Sequence, residues 1–226
     1  MIGNTAVAAA LSPMYQHFPI YTVDLRDHLD HGWDDEILHR ARASQARGIL
    51  SGTSVTSRQR ELGYSTSCVV GVVSGDVIAT ELSWLDRLYR DDVLRLANNL
   101  GRGTFVASDD RQSAININVL PRGSQYEWHV DSNPLTGLLF VTDHPAGSGG
   151  GLLFRPDPLA RPQEHWPELL VRPRKGQLLL FDARRVAHTV LRVRGDRERV
   201  SVPMNYYLAG TGRTRPIDLD HYLYGG

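Results

Sequence analysis

From about residue 104 the chain breaks into short strand-like runs separated by turns, and this rhythm constrains its fold more than any other feature. Ala114 to Leu120 alternates apolar and polar residues with period two, as a strand with two unlike faces does. Further candidate strands follow at Thr136–Val141, Gly151–Phe154, Leu169–Arg172, Gln177–Phe181, Thr189–Val193 and Val200–Leu208. Turn signals fall between them at Pro121-Arg122-Gly123, Gly147-Ser148-Gly149-Gly150, Arg174-Lys175-Gly176 and Arg194-Gly195-Asp196. Many short strands joined by turns imply a sandwich or barrel.

The first half reads differently. Phe18 to Leu25 is β-branched and aromatic and reads as a first strand. Asp34 to Arg47 places Ile37, Leu38 and Ala41 on one helical face, with Gly48 as its stop. Cys68–Val73 and Val77–Thr80 flank Ser74-Gly75-Asp76, which reads as a hairpin. Leu82 to Leu100 forms a second amphipathic helix, closed by Gly101. The expectation is a mainly β (α+β) single domain over 1–226. Residues 1–103 would support a jelly-roll core at 104–208, with a tail at 209–226 and two helices buttressing one face.

Composition excludes several partners. Lys plus Arg and Asp plus Glu both number 25, so the formal net charge is zero. That balance gives no footprint for nucleic acid or an anionic membrane, and no stretch has the apolar length of a membrane span. Cys68 is the only cysteine. It rules out an internal disulfide and a thiolate-rich zinc site, and reads as a small core residue. Met1 to Leu11 lacks a basic leader and reads as a loose arm, so a cytoplasmic protein is expected. Homodimerisation stays open.

Trp128-His129-Val130-Asp131, answered by Val186-Ala187-His188, offers two imidazoles and one carboxylate. If the first segment is extended, His129 and Asp131 project to one side. His188 lies 188 − 131 = 57 positions later, a distance a jelly roll can close by folding back. Such a ligand set suits Fe(II), and also Zn(II) or Mn(II). The other histidines among the 9 lack a comparable setting.

Downstream, Arg199, Ser201, Pro203 and Asn205 share one strand face while Val200, Val202 and Met204 share the other. A guanidinium and a hydroxyl two positions apart can grip one carboxylate. An inward Arg requires an anion to complete it; an outward one would pair with Asp196 or Glu198. Arg197, in the same register, is the competing candidate.

In order along the chain, five motifs resemble the Fe(II)/2-oxoglutarate-dependent dioxygenases, in their prolyl-4-hydroxylase-like branch. They are His129-Val130-Asp131, Gly149 to Phe154 (GGGLLF), Arg174 to Phe181 (RKGQLLLF), His188-Thr189-Val190 and Arg199-Val200-Ser201, and the resemblance covers roughly residues 114 to 208. It implies Fe(II) held by His129, Asp131 and His188, and the distal carboxylate of 2-oxoglutarate held by Arg199 and Ser201. It further implies consumption of O2, release of succinate and CO2, and hydroxylation of an unactivated C–H. Many members carry a co-substrate tyrosine some residues ahead of the first His ligand, where Leu120 and Pro121 stand here. Asn116 and Asn118, sharing a face, are the polar candidates for that role. Related halogenases lack the carboxylate ligand, so Asp131 favours hydroxylation.

The short chain suggests a small-molecule substrate, amino-acid-like or a natural-product intermediate. Tyr126 and Trp128 could line the entrance, Arg122 could meet an acidic group, and the polar stretch Ser51–Ser67 could be a lid. Hydroxylation of a protein or peptide side chain, or a jelly roll that binds without turnover, are the rival readings.

Overall fold

The computed structural model describes residues 20–44, 70–131, 133–156 and 168–211. The Met1–Leu11 arm, the Ser51–Ser67 stretch, Cys68 and the end of the tail lie outside these residues.

Two antiparallel sheets face each other. The larger contains β1 (Ile20–Asp24), β9 (Gln177–Phe181), β6 (Leu135–Phe140), β11 (Arg199–Leu208), β4 (Ile117–Leu120) and β2 (Gly71–Val73), in that order, with β3 (Phe105–Ala107) also on β11. The smaller runs β5 (Tyr126–His129), β10 (Val186–Val190), β7 (Leu152–Pro156), β8 (Leu169–Val171). Neighbours in each sheet that are distant in sequence make this the expected jelly roll, a double-stranded β-helix.

The larger sheet is buried on both faces, and strand alternation sorts its side chains. On β9, Leu178 and Leu180 join the core beneath the helices, whereas Leu179 and Phe181 face the space between the sheets. On β6, Leu139 goes to the helix side and Leu138 and Phe140 to the inter-sheet side. Ten-residue β11 is the hub, paired with β6 over 201–206 and with β4 and β3 on its other edge.

The helical layer comprises α1 (Trp33–Ser44), α2 (Gly75–Glu81), α3 (Ser83–Arg87), a π-helical turn (Leu88–Val93) and α4 (Leu94–Asn98). Ile37, Ile78, Leu85, Tyr89 and Leu96 seal it onto the sheet. Each such burial is worth about 1.5–3 kcal/mol for an aliphatic side chain. The Tyr206 hydroxyl donates to the Tyr89 carbonyl at 2.8 Å, and the Tyr89 hydroxyl donates to the Asn205 carbonyl at 2.8 Å, pinning the layer to β11.

One element departs from the sequence pattern. The Ser74-Gly75-Asp76 hairpin does not form; Gly75 opens helix α2 instead. A Cβ at Gly75 would lie 2.0 Å from the Arg111 carbonyl oxygen, so this backbone is pressed onto the 111–115 loop. Ile78, wholly buried, then anchors the helix against β-branched propensity. Leu180→Ala should lower stability by about 2–5 kcal/mol, read as a reduced urea midpoint. Leu191→Ala, at a 37% exposed position, should leave that midpoint nearly unchanged.

Candidate metal centre

His129 closes β5, Asp131 lies just beyond it, and His188 sits opposite His129 in the register of β10. One ligand atom from each comes within 4.8 Å of the others. His129 Nε2 is 3.8 Å and His188 Nε2 is 3.7 Å from Asp131 Oδ1. Between the two ligands of the first segment, Val130 is wholly buried.

Backbone carbonyls orient both rings. His129 Nδ1 lies 2.7 Å from the Glu127 oxygen and His188 Nδ1 lies 3.3 Å from the Val186 oxygen. Nδ1–H donation there leaves each Nε2 lone pair directed at the cluster, as a metal ligand requires. The Thr136 hydroxyl donates to Asp131 Oδ2 at 2.9 Å, turning Oδ1 toward the imidazoles. Asn133 in turn donates to Thr136 Oγ1 at 2.8 Å. Phe154 and Phe181 wall His188, with centroids 6.0 and 5.3 Å away. Thr136 and Asn133 escaped the sequence reading because their role depends on a chain reversal that no local pattern announces.

Burial drives the His188 pKa down to about 4, reinforced by the nearby His129 and only partly countered by Asp131. The ring is neutral at neutral pH, and so are its coordination lone pairs available.

Arg199 is 2% exposed and lies inward on β11. Its Nε donates to the Gly150 carbonyl at 2.8 Å and its Nη1 to the Ser201 hydroxyl at 2.9 Å. Nη2 is buried with no partner among the described residues. The Gly150 backbone has φ +69, and a Cβ there would stand 2.9 Å from His144 Nδ1 and 3.4 Å from Arg199 Cδ. Glycine is therefore required to bring this carbonyl onto the guanidinium. The competitor Arg197 is exposed on the surface.

The other sequence candidates separate. Asn118 pairs in register with Ser201, beside the clamp. Asn116 is buried and its amide donates to the Gln112 carbonyl at 2.9 Å. Tyr126 stacks near His129, with centroids 5.8 Å apart. Trp128 instead lies under Arg155, 4.2 Å from ring centroid to guanidinium carbon. Phe154 faces His188, so Arg155, its neighbour on β7, places Trp128 on the outer face of the smaller sheet. Arg122 is exposed and ion-paired with Asp196 at 2.9 Å.

The jelly roll thus gathers two histidines and a carboxylate that could hold a metal ion, and buries an arginine whose Nη2 has no partner among the described residues. Residues 115–207 match the family model described as the 2OG-Fe(II) oxygenase superfamily. Over that segment, less than half of the chain, the sequence is similar to the 2OG-Fe(II) oxygenases. No curated protein sequence matches the chain significantly.

Solved structures share the fold. The epimerase SnoN from nogalamycin biosynthesis is 18% identical, with 94% of this chain and 91% of that one covered and a TM-score of 0.61. The carbocyclase SnoK from the same biosynthesis is 17% identical, covering 96% and 88%, with a TM-score of 0.64. A Pseudomonas putida prolyl-4-hydroxylase is 18% identical, covering 89% and 98%, with a TM-score of 0.54. Among the described residues no helix is long and apolar enough to cross a membrane.

A histidine held neutral in the fold destabilises it once the unfolded chain can take up a proton. For His188, stability should begin to fall as pH drops through 6.5, its ordinary value, and the loss should be complete below about 4. The full effect is about 3 kcal/mol. Melting of the metal-free protein between pH 7.5 and 4.5 should show this decline, and His188→Gln should flatten it.

Proposed function

We propose that this protein is an Fe(II)- and 2-oxoglutarate-dependent hydroxylase that oxidises an unactivated C–H bond of a small molecule. The observation that carries the reading is Arg199. A buried guanidinium with an unsatisfied Nη2 is costly unless an anion completes it. Arg199 also depresses the His188 pKa, so the two belong to one electrostatic neighbourhood. An acid bound at the triad by one end and at Arg199 by the other fits that arrangement.

His129, Asp131 and His188 would hold the iron, leaving positions open for co-substrate and O2. Arg199 by its donor fork and Ser201 by its hydroxyl would hold the distal carboxylate, with Asn118 alongside. Phe154 and Phe181 keep water from the side of His188. Iron and 2-oxoglutarate together supply the oxidising power, with succinate and CO2 as co-products. A carboxylate at Asp131, retained in the triad, favours oxygen insertion over halide transfer.

The small-molecule class is supported by the fold match to SnoN and SnoK, both from nogalamycin biosynthesis. Of the three residues nominated to meet substrate, only Tyr126 lies on the metal side. The domain organisation fits the same reading: the 104–208 core carries every proposed ligand, and the earlier helices support it from behind.

Anaerobic addition of Fe(II) and 2-oxoglutarate should produce a weak visible charge-transfer band, and admitting O2 with a library of amino-acid-like and natural-product compounds should yield succinate and a product enlarged by one oxygen atom. His129→Ala or Asp131→Ala should abolish the band. If peptides alone support succinate formation, the substrate class is wrong; if neither band nor succinate appears, the activity is. Arg199→Gln should raise the 2-oxoglutarate requirement by about 10- to 100-fold, the worth of a charge-assisted pair. An unchanged requirement would move the clamp elsewhere.

A further inference from the structure

A cavity lies on the face of the smaller sheet turned away from His188. On β8, Leu169 and Val171 enter the core between the sheets, so Leu170 and the exposed Arg172 point outward. Leu152 and Val190 enter the same core, which sends their neighbours Gly151 and Leu191 outward as well. Gly151 has no side chain to fill the space, and a Cβ there would stand 2.7 Å from the Leu170 side chain. The hollow that results has a volume of about 400 Å³. Leu170 and Leu191 supply apolar wall, and Arg172, Arg192 and Arg194 supply three positive charges. No Asp or Glu is among the described residues that line it.

We propose that this cavity is a second binding site, which takes the phosphate group of a small organic phosphate and packs Leu170 and Leu191 against the ligand's apolar part. Like charges gathered at one hollow repel each other, and none of the three arginines has an ion-pair partner among the described residues. Asp196, two residues past Arg194, is taken by Arg122 at 2.9 Å. Glu127 accepts from the amide of Gln125, a lining residue, at 2.7 Å. The segment carrying Arg192 and Arg194 is fixed from both sides. The Gly123 amide donates to the Val193 carbonyl at 2.8 Å, and the Val193 amide to the Ser124 carbonyl at 2.9 Å. On the other side the Arg194 and Gly195 amides donate to the Ser148 carbonyl at 2.8 and 2.9 Å. A Cβ at Gly149 would lie 1.8 Å from the Arg192 carbonyl oxygen, so the two loops meet backbone to backbone. Arg192 Nη1 donates to the Gly123 carbonyl at 2.5 Å, which orients its guanidinium. Cations organised in advance lose little freedom when an anion arrives. A carboxylate has two oxygens and suits one guanidinium fork, whereas a phosphate monoester has three terminal oxygens and up to two charges, enough for several forks.

The competing account is a solvated rim of arginines that attracts any anion weakly. Phenyl phosphate, inorganic phosphate and benzoate are therefore titrated by calorimetry into the full-length, metal-free protein at low ionic strength, where screening is least. Phenyl phosphate should bind more tightly than either of the others, on the order of tenfold. Arg172→Gln and Arg194→Gln should each weaken it on the order of tenfold. Leu191→Ala should weaken phenyl phosphate and leave inorganic phosphate unchanged. Equal binding of benzoate would overturn the phosphate assignment. Absence of binding, or affinity that survives both arginine changes made together, would overturn the site. Arg199→Gln serves as the control: if it abolishes binding and the outer arginine variants do not, the anion sits between the sheets and the proposal falls. The titration uses neither iron nor 2-oxoglutarate, so its failure leaves the oxygenase reading standing.

Discussion

A cation buried without a counter-ion is the constraint around which the rest of this molecule is arranged. Arg199 has five N–H donors, and among the described residues it donates to the Gly150 carbonyl and the Ser201 hydroxyl, with Nη2 left without a partner. Both partners are neutral. To present even these, β11 must keep strict alternation from Arg199 onward. The glycine-rich turn must bring a carbonyl to a place where no Cβ fits, and the smaller sheet must lie over the larger. The helices lie on the far side of the larger sheet. Their contribution is to bury the other face of β11, through Val200, Val202, Met204 and Tyr206, so that the strand cannot roll its arginine outward.

The metal ligands depend on a second device, used twice. Each histidine is oriented by the carbonyl two residues before it, Glu127 for His129 and Val186 for His188. A strand-end backbone thus selects the tautomer, and burial keeps the His188 ring neutral. Asp131 needs more help because it lies past the end of its strand. The Thr136–Asn133 pair supplies it from the start of β6, which joins the larger sheet to the ligand loop.

Much of this was legible in the sequence, and the parts that were not share a cause. The strands of the core half, and the face shared by Arg199 and Ser201, follow from period-two alternation; the meeting of His129 with a distant His188 follows from a jelly roll folding back on itself. Where the backbone stays regular, parity is reliable. The Ser74-Gly75-Asp76 turn was misread because its glycine serves a close approach to the 111–115 loop, and Val77-Ile78 are apolar for a helix face that only the sheet defines. Trp128 was placed at the entrance because it adjoins a ligand, yet adjacency in a strand means opposite faces. Arg122, expected to meet an acidic group, pairs instead with the carboxylate of Asp196, which is distant in sequence.

Tyr126, expected near the entrance, lies on the metal side for a reason that alternation does not supply. Alternation counted from His129 sends it outward with Trp128, and a single inserted residue brings it in. A bulge leaves no fixed signature in composition, because its support comes from the facing strand, here the Thr189 hydroxyl donating to the Tyr126 carbonyl. Regular sheet maximises hydrogen bonding and would be the default if stability alone were at stake. The break in the ladder turns Tyr126 onto the face of the metal ligands, 5.8 Å from the His129 ring, a placement that regular alternation would not give.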